Sequence, residues 1–204
     1  MRVKLLLAAA AWTIATPAIA GWTLMPKATP VAVAKSAMTV TPGEDWNRWS
    51  VRPSKRGETW TLDGVSLNQL QFFAGVLPGE AIYRERSKKD EPLPKFDAGM
   101  LAPEIVRAVE GSHRILLRTS LFEVGEVAPT RLGGHPGVRF TYSYSVQDED
   151  VRRQGEGRAA IVEGKLYLVT FTAPAIHYFD AGIPEARRVM DSVRIPGASV
   201  TVGE

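Results

Sequence analysis

His113, His135 and His177 are the only histidines in the chain of 204 residues, and there is no cysteine. Thiolate metal sites, disulfides and cysteine nucleophiles are therefore excluded. A histidine metal site wants two imidazoles three or four residues apart on a helix, or a known spacing with carboxylates, and neither occurs. Ser112 and His113 are neighbours, so on a helix they point about 100° apart, a poor start for a nucleophile and its base. The serine-elbow, S-x-x-K and H-E-x-x-H patterns are missing from the sequence. Gly157 to Gly164-Lys165 mimics a phosphate loop, but it has six intervening residues rather than four, and Leu166 stands where a cation-binding hydroxyl belongs. Glu163-Gly164 reads instead as a hairpin turn. A glycosidase needs only two carboxylates, but the acids here sit mainly in turns and helix starts, where capping and solubility explain them. The residues thus assign no catalytic, metal or cofactor-binding role, and the chain reads as a non-enzyme.

Aromatic residues offer more. Trp46, Trp49 and Trp60 lie within fifteen residues, close to Arg48, Arg52, Lys55 and Arg56. Exposed together, Trp46, Trp49, Trp60 and Arg52 would form an amphipathic recognition surface; the competing role is packing beneath the N-terminal strands. Tyr142 and Tyr144 are candidates for the wall of a groove, although their alternation also suits core positions.

Charge bears on compartment more than on partner. The formal net charge is +3. Two cations, Arg2 and Lys4, precede the apolar run Leu5 to Ile14, Pro17 and the small-residue site Ala18-Ile19-Ala20, the order of a secretory signal peptide. Cleavage after Ala20 leaves 23 cations against 22 anions, too balanced for nucleic acid, and no basic stretch is interleaved with aromatics. Because no charge falls between Lys4 and Lys27, an uncleaved segment would instead be an inner-membrane anchor. Either way the folded part lies outside the cytoplasm, in the periplasm or secreted.

The elements that must position these residues follow from periodicity. Residues 1–20 are the signal, 21–37 an extended linker, 38–196 a single domain and 197–204 a tail. Short strands are expected at 38–41, 49–51, 58–62 and 70–74, then a charged, proline-broken loop at 84–94. Pro103 and Glu104 open a helix whose inner face carries Leu101, Ile105, Val109 and Leu116, with Gly111 bending or ending it. Alternation from Phe122, clearest at Val138 to Val146, gives antiparallel strands. The turn Asp148–Asp150 leads into a returning strand in which Gly155 and Gly157 are expected irregularities. Leu166–Phe171 suits a central strand, and Pro184 opens a closing helix approached by Phe179 and Ile183. The order of strands, helix, three-strand meander and helix describes an α+β domain, an antiparallel sheet with helices packed on its faces.

The run Arg158 to Ile195 resembles the C-terminal half of the PsbP-like fold group, which includes the extrinsic photosystem II subunit, a Ran-binding import factor and bacterial envelope proteins. The resemblance rests on Gly164-Lys165 with Tyr167, on Ala173-Pro174 and on Asp191-Ser192-Val193-Arg194. Trp60–Gly64 with Leu70–Gly75 is also similar to secreted proteobacterial proteins. The resemblance implies the fold and no shared reaction. The functional expectation is an exported envelope protein that binds another protein; the alternative is a small apolar ligand held in the crevice between sheet and helix.

Overall fold

The computed structural model describes residues 21–87, 89–146 and 151–197. The signal segment with its site at Ala20, the turn Asp148–Asp150 and the tail beyond Gly197 lie outside the described residues. The elements run β1 (Trp22–Met25), β2 (Val31–Ala32), β3 (Thr39–Val40), β4 (Trp46–Trp49), β5 (Gly57–Thr61), β6 (Gln69–Val76), α1 (Ala102–Leu117), β7 (Phe122–Leu132), β8 (His135–Ser145), β9 (Arg152–Val162), β10 (Lys165–Pro174) and α2 (Tyr178–Asp191). Eight strands form one sheet in the order β1-β4-β5-β6-β10-β9-β8-β7, and β2 pairs with β3 apart from it. Every pairing in the large sheet is antiparallel. The α+β architecture read from the sequence is the one observed.

Strand alternation divides the side chains between two cores. On one face Trp46, Trp60, Leu70, Phe72, Val169 and Phe171 pack under α2 through Ile183, Ala186, Val189 and Met190. On the other, Phe73, Leu166, Leu168, Phe140 and Tyr142 pack with Ile105, Val106 and Val109 of α1 and with Ile82, Leu93 and Phe96 of the long β6–α1 connection. β10 lies between β6 and β9 and buries Leu166, Leu168, Val169 and Phe171, as a continuous apolar run requires.

Several elements differ from the sequence expectation. Residues 21–37 are not a linker. β1 pairs with β4 over Trp22↔Trp49 to Met25↔Trp46, Met25 and Val33 are buried, and the Ala34 amide donates to Glu58 Oε2 at 3.0 Å. A four-residue strand is too short for a periodicity signal, and its partner is more than twenty residues away. The second helix starts at Tyr178, and Pro184 lies inside it. Its missing amide costs one helical bond, but Gly182 is pressed against the Phe171 ring, so packing on β10 holds the first turns. Leu101 is the N-cap of α1 rather than part of its inner face, with its amide bonded to Glu104 at 2.8 Å. The helix runs through Gly111 without ending.

The meander has four strands, β7 to β10, not three. Gly125 and Pro129 obscure β7 in the sequence, yet it is the sheet's outer strand, where a proline is tolerated, and a bulge between Val124 and Val127 absorbs the extra residue. Gly155 and Gly157 are not irregularities either, since β8 and β9 stay in register from Gly137↔Ala160 to Ser145↔Arg152. A Cβ on Gly155 would stand 2.2 Å from the Tyr142 ring, and one on Gly157 2.3 Å from the Phe140 ring. These glycines make room for aromatic rings on the neighbouring strand.

Candidate interaction surface

The tryptophans of the proposed surface part company. Trp46 and Trp60 are buried in the α2-side core, their rings 6.5 Å apart, with Trp60 edge-on to Phe72 at 4.8 Å. Trp60 Nε1 donates to the buried Glu58 at 2.7 Å. Arg52 is spent on backbone: its Nε donates to Gly57 O at 2.8 Å and its Nη2 to Ala34 O at 3.2 Å, holding the 21–37 segment against β5. The recognition surface built from Trp46, Trp60 and Arg52 is therefore not formed, because alternation along β4 and β5 turns both rings inward.

Trp49 points to the opposite face. There it stacks on Trp22, its cross-strand partner, with ring centroids 6.2 Å apart and planes 19° from parallel. Leu24 follows on the same face, opposite Asn47. Trp22, Leu24 and Val51 remain 38%, 56% and 48% exposed. Sequence reasoning missed Trp22 and Leu24 because it placed them in a linker, and the four residues Trp-Thr-Leu-Met show no alternation that would mark a strand.

This aromatic stack sits at one end of the sheet. β1 bonds β4 on one side and no other described strand on its other, so part of its backbone hydrogen-bonding capacity faces outward. Its sequence, Trp-Thr-Leu-Met, holds no charge, proline or bulge. The opposite edge, β7, carries Glu123, Glu126, Pro129, Arg131 and the bulge, features that discourage pairing with another chain.

Tyr142 and Tyr144 turn their rings into the α1-side core. They stack with Phe122 at 5.3 and 5.9 Å, and Tyr142 OH shares a 2.6 Å hydrogen bond with Thr172 Oγ1. His113 lies among Tyr83, Phe122, Tyr142 and Tyr144, with ring centroids 4.9 to 6.0 Å away, and its Nδ1 bonds Val109 O at 2.9 Å. Desolvation in this cluster pulls the His113 pKa down to about 4 against the backbone bond's opposing effect, and burial raises those of Tyr83 and Tyr142. Tyr142 does line a cleft of about 390 Å³ with Arg152, Gln154 and Phe179, and Tyr144 a hollow of about 100 Å³ beside it. Beside α1 lie hollows of about 280 and 240 Å³, each below the usual size of a small-molecule site.

A polar cluster not anticipated from the sequence lies under α2. Glu156 is wholly buried and receives Arg187 Nε and Nη2 on Oε2 at 3.1 and 2.7 Å, with Arg139 and Arg158 each 3.6 Å away. Arg158 also bonds Asp191. These contacts tie α2 to β8 and β9, which is a structural role. His135 starts β8 and His177 caps α2. Among the described residues, no cluster of three or more His, Asp or Glu is arranged to hold a metal.

No family model matches the sequence, and no curated protein matches it. In structure it is similar to the cyanobacterial PsbP of Synechocystis sp. PCC 6803, at 13% identity and a TM-score of 0.51, over 91% of this chain and 98% of that one. The chain has the PsbP-like fold. Looser likenesses connect the PsbP-like chain to the immunity protein TplEi of the Pseudomonas aeruginosa T6SS and to LpqN, involved in cell envelope biogenesis of Mycobacterium tuberculosis. The first has TM-score 0.39 and 12% identity over 76% of this chain, which spans only 46% of that protein; the second has 0.37 and 11% over 85% and 92%. No helix among the described residues is long and apolar enough to cross a membrane.

Proposed function

We propose that this PsbP-like chain is an exported, non-enzymatic accessory protein of the cell envelope that binds another protein along β1. The observation that carries this reading is the stacked Trp22–Trp49 pair with Leu24, exposed beside an uncharged sheet edge. An extended segment of the partner adds as a further strand: backbone bonds give it affinity, and Trp22 and Leu24 receive its alternate side chains. A half-exposed tryptophan at the centre of such a contact typically carries about 2 kcal/mol of binding.

A photo-cross-linking residue introduced at position 24 tests the reading in cells, with position 126 on the β7 edge as the control. The expected result is a discrete adduct with one envelope protein from position 24 and none from 126. Leu24→Asp should weaken capture at least tenfold at unchanged melting temperature. Recovery of the protein from the cytoplasm, or adducts from neither position, would overturn it. Native mass spectrometry of the protein taken from its host tests the apolar-ligand alternative: a retained small mass supports that alternative, and a clean apo spectrum removes it.

A further inference from the structure

A cleft of about 410 Å³ is lined by none of the tryptophans and by neither Tyr142 nor Tyr144. It forms where the β4–β5 loop meets the β6–α1 connection. Backbone hydrogen bonds fix its walls: Arg84 N–H donates to Pro53 O at 2.7 Å, Ala74 N–H to Arg56 O at 3.0 Å, and Gly79 N–H to Phe96 O at 2.8 Å. A short bridge between Ala81 and Lys95 closes the floor. The cleft is thus built by the fold, and its volume falls in the range of small-molecule sites.

Its charge is lopsided. Lys55, Arg56, Arg84 and Lys95 line it against only Glu80 and Glu85. Both carboxylates are taken, Glu80 by Arg56 and Glu85 by Lys95, each at 2.6 Å. Burial alone would raise the Glu80 pKa, but the Arg56 hydrogen bond, the Leu77 amide and the charges of Arg56 and Lys55 outweigh it and keep the carboxylate ionised. Lys55 and Arg84 are left exposed, with no carboxylate in ion-pair distance among the described residues. The surplus is two positive charges in one concavity, in a chain whose positions 21–204 carry a surplus of only one. A further wall residue, Ser54, is buried, and its hydroxyl has no hydrogen-bond partner among the described residues. Buried hydroxyls without a partner are rare in folded proteins.

We infer that this cleft binds a phosphate monoester, with Lys55 and Arg84 as its counter-charges. The match is of charge and of donors: a monoester carries close to two negative charges near neutral pH and three strong acceptor oxygens, and the cleft offers two cations that form no ion pair among the described residues. Arg56 and Lys95, held by their carboxylates, shape the wall. A sulfate ester or a single carboxylate carries one negative charge and leaves part of the surplus unmet, and the room beyond one phosphate suits the organic part of the ester.

The monoester could be a free metabolite or a lipid headgroup, so the test has arms for both. The purified protein is titrated calorimetrically with glycerol 1-phosphate and with glycerol. Sedimentation is measured with vesicles of phosphatidylcholine containing phosphatidic acid, a monoester, or phosphatidylglycerol, a diester. Saturable glycerol phosphate binding at least tenfold tighter than glycerol, weakened at least tenfold in K55E and R84E, is the expected result for a free ester. Selective sedimentation with phosphatidic acid, lost in the same variants, assigns the site to a headgroup. K27E, which removes an exposed cation elsewhere, must leave either signal unchanged, and circular dichroism confirms that each variant is folded. Failure to bind either monoester, or equal weakening by K27E, overturns the inference.

Discussion

Single atoms decide the packing of the meander. The rings of Tyr142 and Phe140 occupy the space where Gly155 and Gly157 lack a Cβ. Gly155→Ala should therefore destabilise the fold by about 1–3 kcal/mol through overpacking, read as a lower urea midpoint at unchanged slope. His113 gives a second prediction at this scale. Its folded pKa of about 4 lies below the ordinary 6.5, so the folded state disfavours the imidazolium. Above pH 6.5 it is neutral in both states and costs nothing. As pH falls through 6.5 the unfolded chain takes up the proton first, and stability is lost down to about pH 4, by on the order of 3 kcal/mol. Denaturation midpoints between pH 6.5 and 5, above most carboxylate titration, should fall in the native protein and stay flatter in His113→Phe. None of this was legible in the sequence: a lone histidine at a helical position looks the same on a surface or among four rings.

At the scale of elements, apolar burial and one buried ionic cluster hold α2 to the sheet. Ile183, Ala186, Val189 and Met190 supply the apolar stripe, while Glu156 gathers Arg187, Arg139 and Arg158 beneath the helix. Glu156→Gln removes the buried carboxylate that holds Arg187, while Arg139 keeps Glu126 and Arg158 keeps Asp191; it should cost about 1–3 kcal/mol, measured by thermal or urea unfolding. The inner stripe of α2 could be read from its 3.6-residue spacing. The cluster could not, because Arg139 and Glu156 belong to different strands and meet only through the register Arg139↔Arg158 and Thr141↔Glu156. The helix start was misplaced for a similar reason: Pro184 is a strong local start signal, and only packing of Gly182 on Phe171 shows that the helix begins earlier.

For the whole molecule, the N-terminal segment changes the arrangement most. Residues 21–37 supply an edge strand, bury Met25 and Val33, and bond to Glu58. Removing them should lower the melting temperature by several degrees or more, since each apolar side chain lost from the core is worth about 1.5–3 kcal/mol; an unchanged melt would return them to the role of linker. The expected cleavage after Ala20 would leave only Gly21 ahead of β1, and mass measurement of the mature N-terminus, expected to begin at Gly21, checks it.

By itself the sequence determined the class of the fold: alternation over Val138–Val146, the apolar run Leu166–Phe171 and the amphipathic stretches of both helices each reflect burial that repeats locally and leaves a periodic trace. It also determined that no thiolate chemistry is available. The tertiary structure alone decided which aromatic residues face outward, that Trp22 rather than Trp46 or Trp60 partners Trp49, and that Lys55 and Arg84 share one cleft. These depend on pairings between segments distant in the chain, and contacts of that kind impose no period on the sequence that makes them.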